Sequence, residues 1–293
     1  MSRLSGRAVV ALLVVFAGCG GFGGGAEPTE TAPEVEFTDA GGDGTSTGAP
    51  SATTPDRDTY PGSAFPPGAN ATGIDASVLA SGHRDRLSRT AWTLVITRTA
   101  RAPNGTRLAR TRTRVVENRT GWAATVRTTG PVPSALNSRN ASFAVWTNRS
   151  ASATRQVLAD GTVRYQVWDR RAPPALRSFD RTGGGTVALA LDTVDVRYVG
   201  VVDGALAFAG DRELLERESL PTVRNLSLRL FVRPDGTVRS YTYRYEIERD
   251  DRRVVVTERV AVRNVGETTV ERPSWYTDAR NATRAETETE ADG

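Results

Sequence analysis

The sequence has no lysine, one cysteine and one histidine among its 293 residues, and all 38 basic residues are arginine. A phosphate-binding P-loop needs a lysine, so that kind of nucleotide site is excluded. A zinc site made of cysteine and histidine needs more of both residues than this chain has. These absences argue against an enzyme of the common signature classes, and they predict no metal and no cofactor.

The apolar run nearest the N-terminus, residues 8–16 (AVVALLVVF), is also short. At about 1.5 Å per residue, it reaches about half of a ~30 Å bilayer core, so it does not span a membrane. Arg3 and Arg7 precede it, and small residues follow it up to Cys19. This order is typical of an export signal over residues 1–18.

Cys19 stands where the lipidated cysteine of a lipobox stands. The resemblance implies that its thiol receives a lipid and becomes the mature N-terminus, which places the protein on the extracytoplasmic face of the cell membrane. The alternative is an ordinary signal peptide with a nearby buried thiol. The glycine-rich residues that follow Cys19 favour lipidation, because they offer no core in which to bury a thiol.

Charge divides the chain into segments. Residues 1–18 carry a net charge of +2, residues 19–60 carry −7 and residues 278–293 carry −3. Because the whole chain carries +4, residues 61–277 carry +12. Residues 19–60 are rich in glycine, threonine and acids, which predicts a disordered tether. We expect a single β-rich domain over 61–277 and a disordered acidic tail over 278–293. The arginines of the domain are dispersed along alternating strands, which favours a solvated sheet face and no nucleic acid partner.

The domain begins with a predicted helix and continues mostly as strands. Asp75 is a predicted N-cap of a helix that ends near Thr90. Alternating apolar residues separated by turn signals such as Asn-Gly and Asp-Gly then predict hairpins. A short helix is predicted over 211–219 and a flexible connection at 183–185. The predicted strands are 92–101, 106–117, 122–128, 143–148, 154–158, 162–168, 194–202, 205–209, 226–233, 241–247 and 254–262.

The best candidate for a ligand site is the row Tyr241, Tyr243 and Tyr245, which period two places on one sheet face. Three aromatic rings with polar tips fit the wall of a cavity, and they equally fit a core beneath a helix. His83, on the apolar stripe of the first helix, is a further candidate for that cavity. Its alternative roles are a buried structural histidine, which we favour, and a general base.

Sequons for N-linked sugar recur in the chain. Those favoured as glycosylation candidates are Asn104, Asn118, Asn140 and Asn148.

The N-terminus, the acidic tether, the helix from 75 to 89 and the ending GETTVERPSW at 266–275 resemble a family of uncharacterised haloarchaeal surface lipoproteins. The order of helix, meander, VVDGA at 201–205, helix and a second meander turning at 234–236 is remotely similar to LolA-type and mycobacterial LppX/LprG-type lipoproteins. Those are curved antiparallel half-barrels with helices on the concave side, and they hold acyl chains. The resemblance therefore implies an α+β fold, with a curved antiparallel sheet covered by a few short helices.

The sequence thus predicts a lipid-anchored, non-enzymatic surface lipoprotein that binds a hydrophobic ligand between sheet and helices. Its partners are then the membrane, through the lipid on Cys19, and either that ligand or an envelope protein. One alternative is a structural or protein-interaction module of the envelope without a small ligand. Another is a hydrolase that uses scattered carboxylates or His83.

Overall fold

A computed structural model of the protein describes residues 65–136, 141–169, 173, 176, 178–216, 222–249 and 252–291. The predicted signal segment, Cys19, the tether and the sequon at Asn140 lie outside these residues. Lipidation and the tether therefore stay predictions.

In this part of the chain, eleven strands form one antiparallel sheet in the order β6-β5-β4-β3-β2-β1-β11-β10-β9-β8-β7. The sheet is curved and unclosed. Neighbours in the sheet are neighbours in sequence except at the centre, where β1 pairs with β11. The strands are β1 (Trp92–Arg101), β2 (Arg107–Asn118), β3 (Gly121–Thr129), β4 (Ser142–Asn148), β5 (Ala151–Val157), β6 (Val163–Asp169), β7 (Arg197–Val202), β8 (Ala205–Leu215), β9 (Val223–Val232), β10 (Val238–Arg249) and β11 (Arg252–Arg263).

Turn chemistry sets the hairpins, as predicted. Val202 pairs with Ala205, so Asp203 and Gly204 alone connect β7 to β8. Their φ angles are 48° and 72°, which is the type I′ geometry that suits the twist of a hairpin. Glycine occupies the second position because it has no Cβ to oppose a positive φ.

Helix α1 (Ala76–Leu87) begins at the predicted cap. One carboxylate oxygen of Asp75 accepts the backbone N–H groups of Ser77 and Val78, each at 3.0 Å, which satisfies two of the donors left free at a helix start. Leu79, His83 and Leu87 recur every four residues and are all buried. The helix ends three residues before the predicted position.

Helix α1 and helix α2 (Gly184–Leu191) pack together on one face of the sheet, which we call the inner face. The short 3₁₀ turn Pro133–Leu136 covers another part of that face. Apolar residues of the strands and of both helices form the main core there, including Leu79, Leu87, Trp92, Leu94, Val187, Leu191, Phe208, Leu228, Leu230 and Val260. The predicted fold class, a curved antiparallel sheet covered by a few short helices, is confirmed.

Helix α3 (Tyr276–Ala291) covers part of the opposite, outer face at β4, β5 and β6. The ring of Tyr276 packs edge-on against Trp146, with 5.0 Å between ring centroids, and Ala279 is fully buried. The structure therefore has a helix over 276–291, where the sequence predicted a disordered tail from 278. The packing of its first turn against the sheet stabilises this helix, and the acidic composition of the segment did not indicate that contact.

The predicted helix over 211–219 is wrong. Strand β8 continues to Leu215, with Asp211 paired to Ser227 and Leu215 to Val223 of β9. The backbone hydrogen bonds that a helix would supply are supplied by the sheet, and this tertiary pairing overrides the local helix propensity.

The predicted flexible connection at 183–185 is also wrong. Gly183 is the N-cap of α2 in the left-handed region, with φ 72°. The Asp180 carboxylate accepts the N–H of Gly185 at 2.8 Å, and the Thr182 hydroxyl accepts the N–H of Gly184 at 3.2 Å. Side chains before the glycines thus cap a helix that the glycine run itself concealed.

Candidate functional site

A row of polar side chains crosses the apolar inner face at the centre of the sheet. Strand pairing places these residues side by side on five successive strands, in the order Thr128, Thr111, Arg98, Glu258, Tyr243. The row above it contains Ile96, Val260 and Tyr241, and the row below contains Ala100, Val256 and Tyr245. Residues in adjacent rows and strands lie within side-chain reach of each other.

At the middle of this polar row, a partly buried ion pair lies between two tyrosines. The Tyr241 hydroxyl donates to Oε1 of Glu258 at 2.6 Å. The other carboxylate oxygen, Oε2, lies 3.2 Å from Nε of Arg98, without the alignment of a hydrogen bond. Arg98 Nη2 donates to the Tyr245 hydroxyl at 3.0 Å. Burying a charge is costly unless it is paired, and here each charge has an opposite charge and a phenol.

The protonation states follow from these surroundings. Burial raises the pKa of Tyr241 well above its usual value, and the Glu258 charge raises it further. The Tyr245 phenol and the Glu258 carboxylate hold the pKa of Arg98 above its usual value, although burial opposes them. Near neutral pH, Tyr241 is therefore a neutral donor and Arg98 a cation, and neither is poised to accept a proton.

Tyr243 connects the sheet to helix α2. Its hydroxyl oxygen lies 2.9 Å from Oγ1 of Thr193, and that threonine donates its own proton to the Ala190 carbonyl at 2.7 Å. A hydroxyl has one proton, so Tyr243 is the donor to Thr193. The rings of Tyr243 and Tyr245 are 5.0 Å apart.

The three predicted tyrosines therefore share one face but not one environment. Tyr241 is 2% exposed, so it is packed in the core and does not line an open cavity. Tyr243 and Tyr245 are half-buried, as are Ile96 and Phe143 on the same face. We call these four side chains the inner-face patch.

His83 is 1% exposed and uses both ring nitrogens. Nε2 lies 3.0 Å from the Thr182 carbonyl oxygen, which accepts a hydrogen bond, while Nδ1 accepts the N–H of Val238 at 3.2 Å. These partners require the neutral tautomer with the proton on Nε2. Burial lowers the pKa of His83, which outweighs the opposing effect of the Thr182 carbonyl. The geometry fits the structural histidine favoured by the sequence and leaves no ring nitrogen free for a general base.

Arg98 and Glu258 also belong to this site, although neither was among the residues predicted from the sequence. Each interrupts an apolar alternation: Arg98 stands in Leu94-Ile96-Arg98-Ala100, and Glu258 in Val256-Glu258-Val260. A charge on the apolar face of a strand was the signal available in the sequence. That the two charges meet depends on the pairing of β1 with β11, the one non-sequential pairing among the described strands.

Three of the four sequon candidates lie in described turns. The side-chain oxygen of Asn104 accepts the N–H of Thr106 at 3.0 Å. Asn118 and Asn148 make the corresponding bond to the residue two positions on, each at 2.9 Å. Asn104 is exposed, whereas Asn118 and Asn148 are half-buried. Glycosylation of these residues stays a prediction.

Within the described residues, no group of three or more histidine, cysteine, aspartate or glutamate side chains is arranged to hold a metal ion. None of the described helices combines the length and the apolar character needed to cross a bilayer.

Comparison with known proteins gives weak structural likenesses only. No protein-family model matches the chain, and no curated protein matches it. One similar solved structure is a DUF1329 family protein from Desulfovibrio piger, 13% identical, with a TM-score of 0.27 over 69% of this chain and 95% of that one. Another is a putative outer membrane lipoprotein-sorting protein domain from Vibrio parahaemolyticus, 9% identical, with a TM-score of 0.24 over 68% of this chain and 96% of that one. At TM-scores this low, neither likeness says what this protein binds, and membership of the haloarchaeal family stays a prediction.

Proposed function

We propose that the protein is a lipid-anchored, non-enzymatic protein of the extracytoplasmic membrane face that binds a hydrophobic ligand at the inner-face patch. The anchor is the lipid expected on Cys19, behind the charge, apolar run and small residues of the N-terminus. The tether of residues 19–60 then separates the folded body from the membrane.

The observation that carries the ligand proposal is a difference in burial along one face. Inner-face residues beneath the helices, such as Leu94 and Leu228, are 0% and 1% exposed. Tyr243, Tyr245, Ile96 and Phe143 stay half-buried on that same face. Apolar surface that is partly open inside a concave fold is typical of a ligand site.

A fluorescent fatty acid is the first probe. We expect the purified mature protein to bind it, and we expect organic extracts of protein from its own host to contain a co-purifying lipid. Tyr243→Ala should weaken binding of the fatty acid about tenfold, the loss typical of an aromatic contact worth about 1.4 kcal/mol. Titration of the probe fluorescence measures this loss.

Tyr165→Ala is the matched control, because Tyr165 is also half-buried but stacks on Trp275 at the outer face. This variant should bind the fatty acid like the wild type. Thermal unfolding of each variant separates lost binding from lost folding. A wild-type protein that binds no probe, carries no lipid and tolerates Tyr243→Ala with only a loss of stability contradicts the proposal.

A second candidate function is an envelope interaction module without a small ligand. It is favoured by Tyr241 and His83, because both side chains are buried and hydrogen-bonded within the core and do not line a cavity. Cross-linking in cells distinguishes the two, since a module of this kind yields discrete protein partners and a ligand carrier does not require them.

A further inference from the structure

The outer face of the sheet carries a line of exposed arginines that runs across the strands. Strand pairing aligns Arg127, Arg112, Thr97, Arg259, Thr242, Arg229, Ala209 and Arg197 on eight successive strands from β3 to β7. All five arginines are exposed, and only two threonines and an alanine separate them. We call these five residues the arginine row.

The spacing of the row follows from sheet geometry. Neighbouring strands lie about 4.8 Å apart, so eight strands span about 34 Å. From Arg112 onward, an arginine occurs on every second strand, at intervals of about 10 Å. The described part of the chain pairs Arg127, Arg197, Arg229 and Arg259 with no carboxylate.

The row places like charges close together. Arg112 and Arg127 are direct cross-strand partners, and like charges directly opposite each other destabilise a sheet. In the next row along the strands, Thr99 on β1 and Thr257 on β11 carry no charge, whereas Asp211 on β8 places one carboxylate diagonal to Arg229 and Arg197. A linear polyanion laid along the row would relieve this repulsion.

The chain itself contains an anion of matching spacing. Residues 27–43 (EPTETAPEVEFTDAGGD) hold six acids and no base. The acids recur about every three residues, and an extended chain rises about 3.1–3.3 Å per residue, so neighbouring carboxylates fall about 10 Å apart. The individual intervals are two to four residues, or about 6–13 Å, and their mean is close to the spacing of the arginines.

The first described residue lies at the edge strand that ends the row, on the inner face of the sheet, opposite the row. The ring of Phe65, the first described residue, packs 5.2 Å from the ring of Tyr198 on β7. Arg197, the last member of the row, precedes Tyr198 on that strand. Residues 44–64 lie between, and a flexible chain of that length has a root-mean-square span of about 25 Å and a much longer maximum reach.

We propose that the acidic segment 27–43 binds along the arginine row of its own domain, with its carboxylates against the guanidinium groups. The contact is intramolecular, so the attachment of the segment supplies a high effective concentration. It shields the outer face from other polyanions and shortens the distance between the body and the membrane anchor.

Small-angle X-ray scattering tests this contact on the mature chain, residues 19–293, with Cys19→Ser to keep it unlipidated. The radius of gyration should be smaller at 20 mM salt than at 1 M salt by about 2–3 Å, because 1 M salt shortens the Debye length to about 3 Å and frees the segment. Circular dichroism confirms that the protein is folded at both salt concentrations.

Two variants should be expanded already at low salt and should lose the response to salt. One changes the row, Arg229→Gln with Arg259→Gln. The other changes the segment, Glu27→Gln, Glu30→Gln, Glu36→Gln and Asp39→Asn. The matched control is Arg119→Gln with Arg252→Gln, which removes the same charge from exposed arginines outside the row and should behave like the wild type.

Three results overturn the proposal. The first is a wild-type radius that does not depend on salt. The second is an apparent mass that rises with protein concentration at low salt, which would assign the row to the segment of a second copy. The third is row-dependent binding to phosphatidylglycerol vesicles without any effect of the row variant on the radius, which would assign the row to the membrane.

Discussion

At the scale of single residues, His83 joins three parts of the fold. It lies on α1, accepts a hydrogen bond from the first residue of β10 and donates one to the residue before the α2 cap. The neutral ring satisfies both partners, whereas a protonated ring would point a donor at the N–H of Val238. The fold therefore selects the uncharged histidine.

Acidification should weaken the fold through this residue. Burial lowers the pKa of His83 in the folded state, so the unfolded chain takes up a proton first. The stability that the neutral ring provides is present above the unfolded pKa of about 6.5 and is lost as the pH falls below it, by up to about 1.4 kcal/mol per pH unit. Urea unfolding at pH 7.5, 6.5 and 5.5 measures this decline.

His83→Gln supplies the reference for that measurement. The chain has one histidine, so the variant has none, while its carboxylates titrate as in the wild type. At pH 7.5 the variant should be less stable by about 1–3 kcal/mol, the cost of disturbing a buried hydrogen-bonded group. The gap between the two proteins should narrow toward pH 5.5, and a gap that stays constant contradicts the assignment.

At the scale of secondary-structure elements, period-two alternation predicted the strands well because one sheet face is buried and the other is largely exposed. The segment from Asp211 to Leu215 offered no such contrast, since charges dominate it and Leu214 is 38% exposed. Its strand conformation comes from the partner β9. Helix α2 was concealed because its caps, Asp180 and Thr182, act together with a glycine run that otherwise indicates a loop.

Two glycines in different elements should respond to alanine in opposite ways. Gly82 lies in α1, and an added Cβ would have no neighbour within 4 Å. Gly82→Ala should raise the free energy of unfolding by about 0.5–1 kcal/mol, because alanine favours the helix. Gly210 lies in β8, where an added Cβ would overlap the carbonyl oxygen of Asp195. Gly210→Ala should lower the free energy of unfolding by about 1–3 kcal/mol.

Urea unfolding of both variants beside the wild type checks this pair. The prediction depends on the sign of each change, and the two variants serve as controls for each other because both add a single methyl group. Equal effects of the two substitutions would contradict the close approach of β8 to the chain before β7.

At the scale of the whole molecule, the sequence indicated which residues share a face of the sheet, but it did not indicate which side chains meet across the strands. Alternation predicted that Tyr241, Tyr243 and Tyr245 share a face, and they do. Their separate environments could not be predicted, because Arg98 reaches Glu258 and Tyr245 only through the pairing of β1 with β11, which are far apart in sequence. The arginine row also depends on strand pairing. Seven successive pairings bring its arginines into line, and no local sequence pattern does so.

Anchoring is the property on which the proposed location of the whole molecule depends. Cys19→Ser removes the thiol that a lipid would modify. Without the lipid, the apolar run of residues 8–16 is too short to span a bilayer and hold the protein there. The wild-type protein should sediment with membranes and be released by detergent. The variant should appear in the soluble extracytoplasmic fraction. Fractionation followed by immunoblotting measures both.

A conservative change inside the tether, Thr29→Ser, is the control and should leave the protein on the membrane. The mass of the mature protein supplies a second measurement, because a lipid on Cys19 adds a fixed increment that the variant lacks. Persistent membrane association of Cys19→Ser, or recovery of the intact precursor from the cytosol, would contradict lipid anchoring. The inner-face patch and the arginine row would then belong to a protein held at the envelope by other contacts, since neither depends on the thiol.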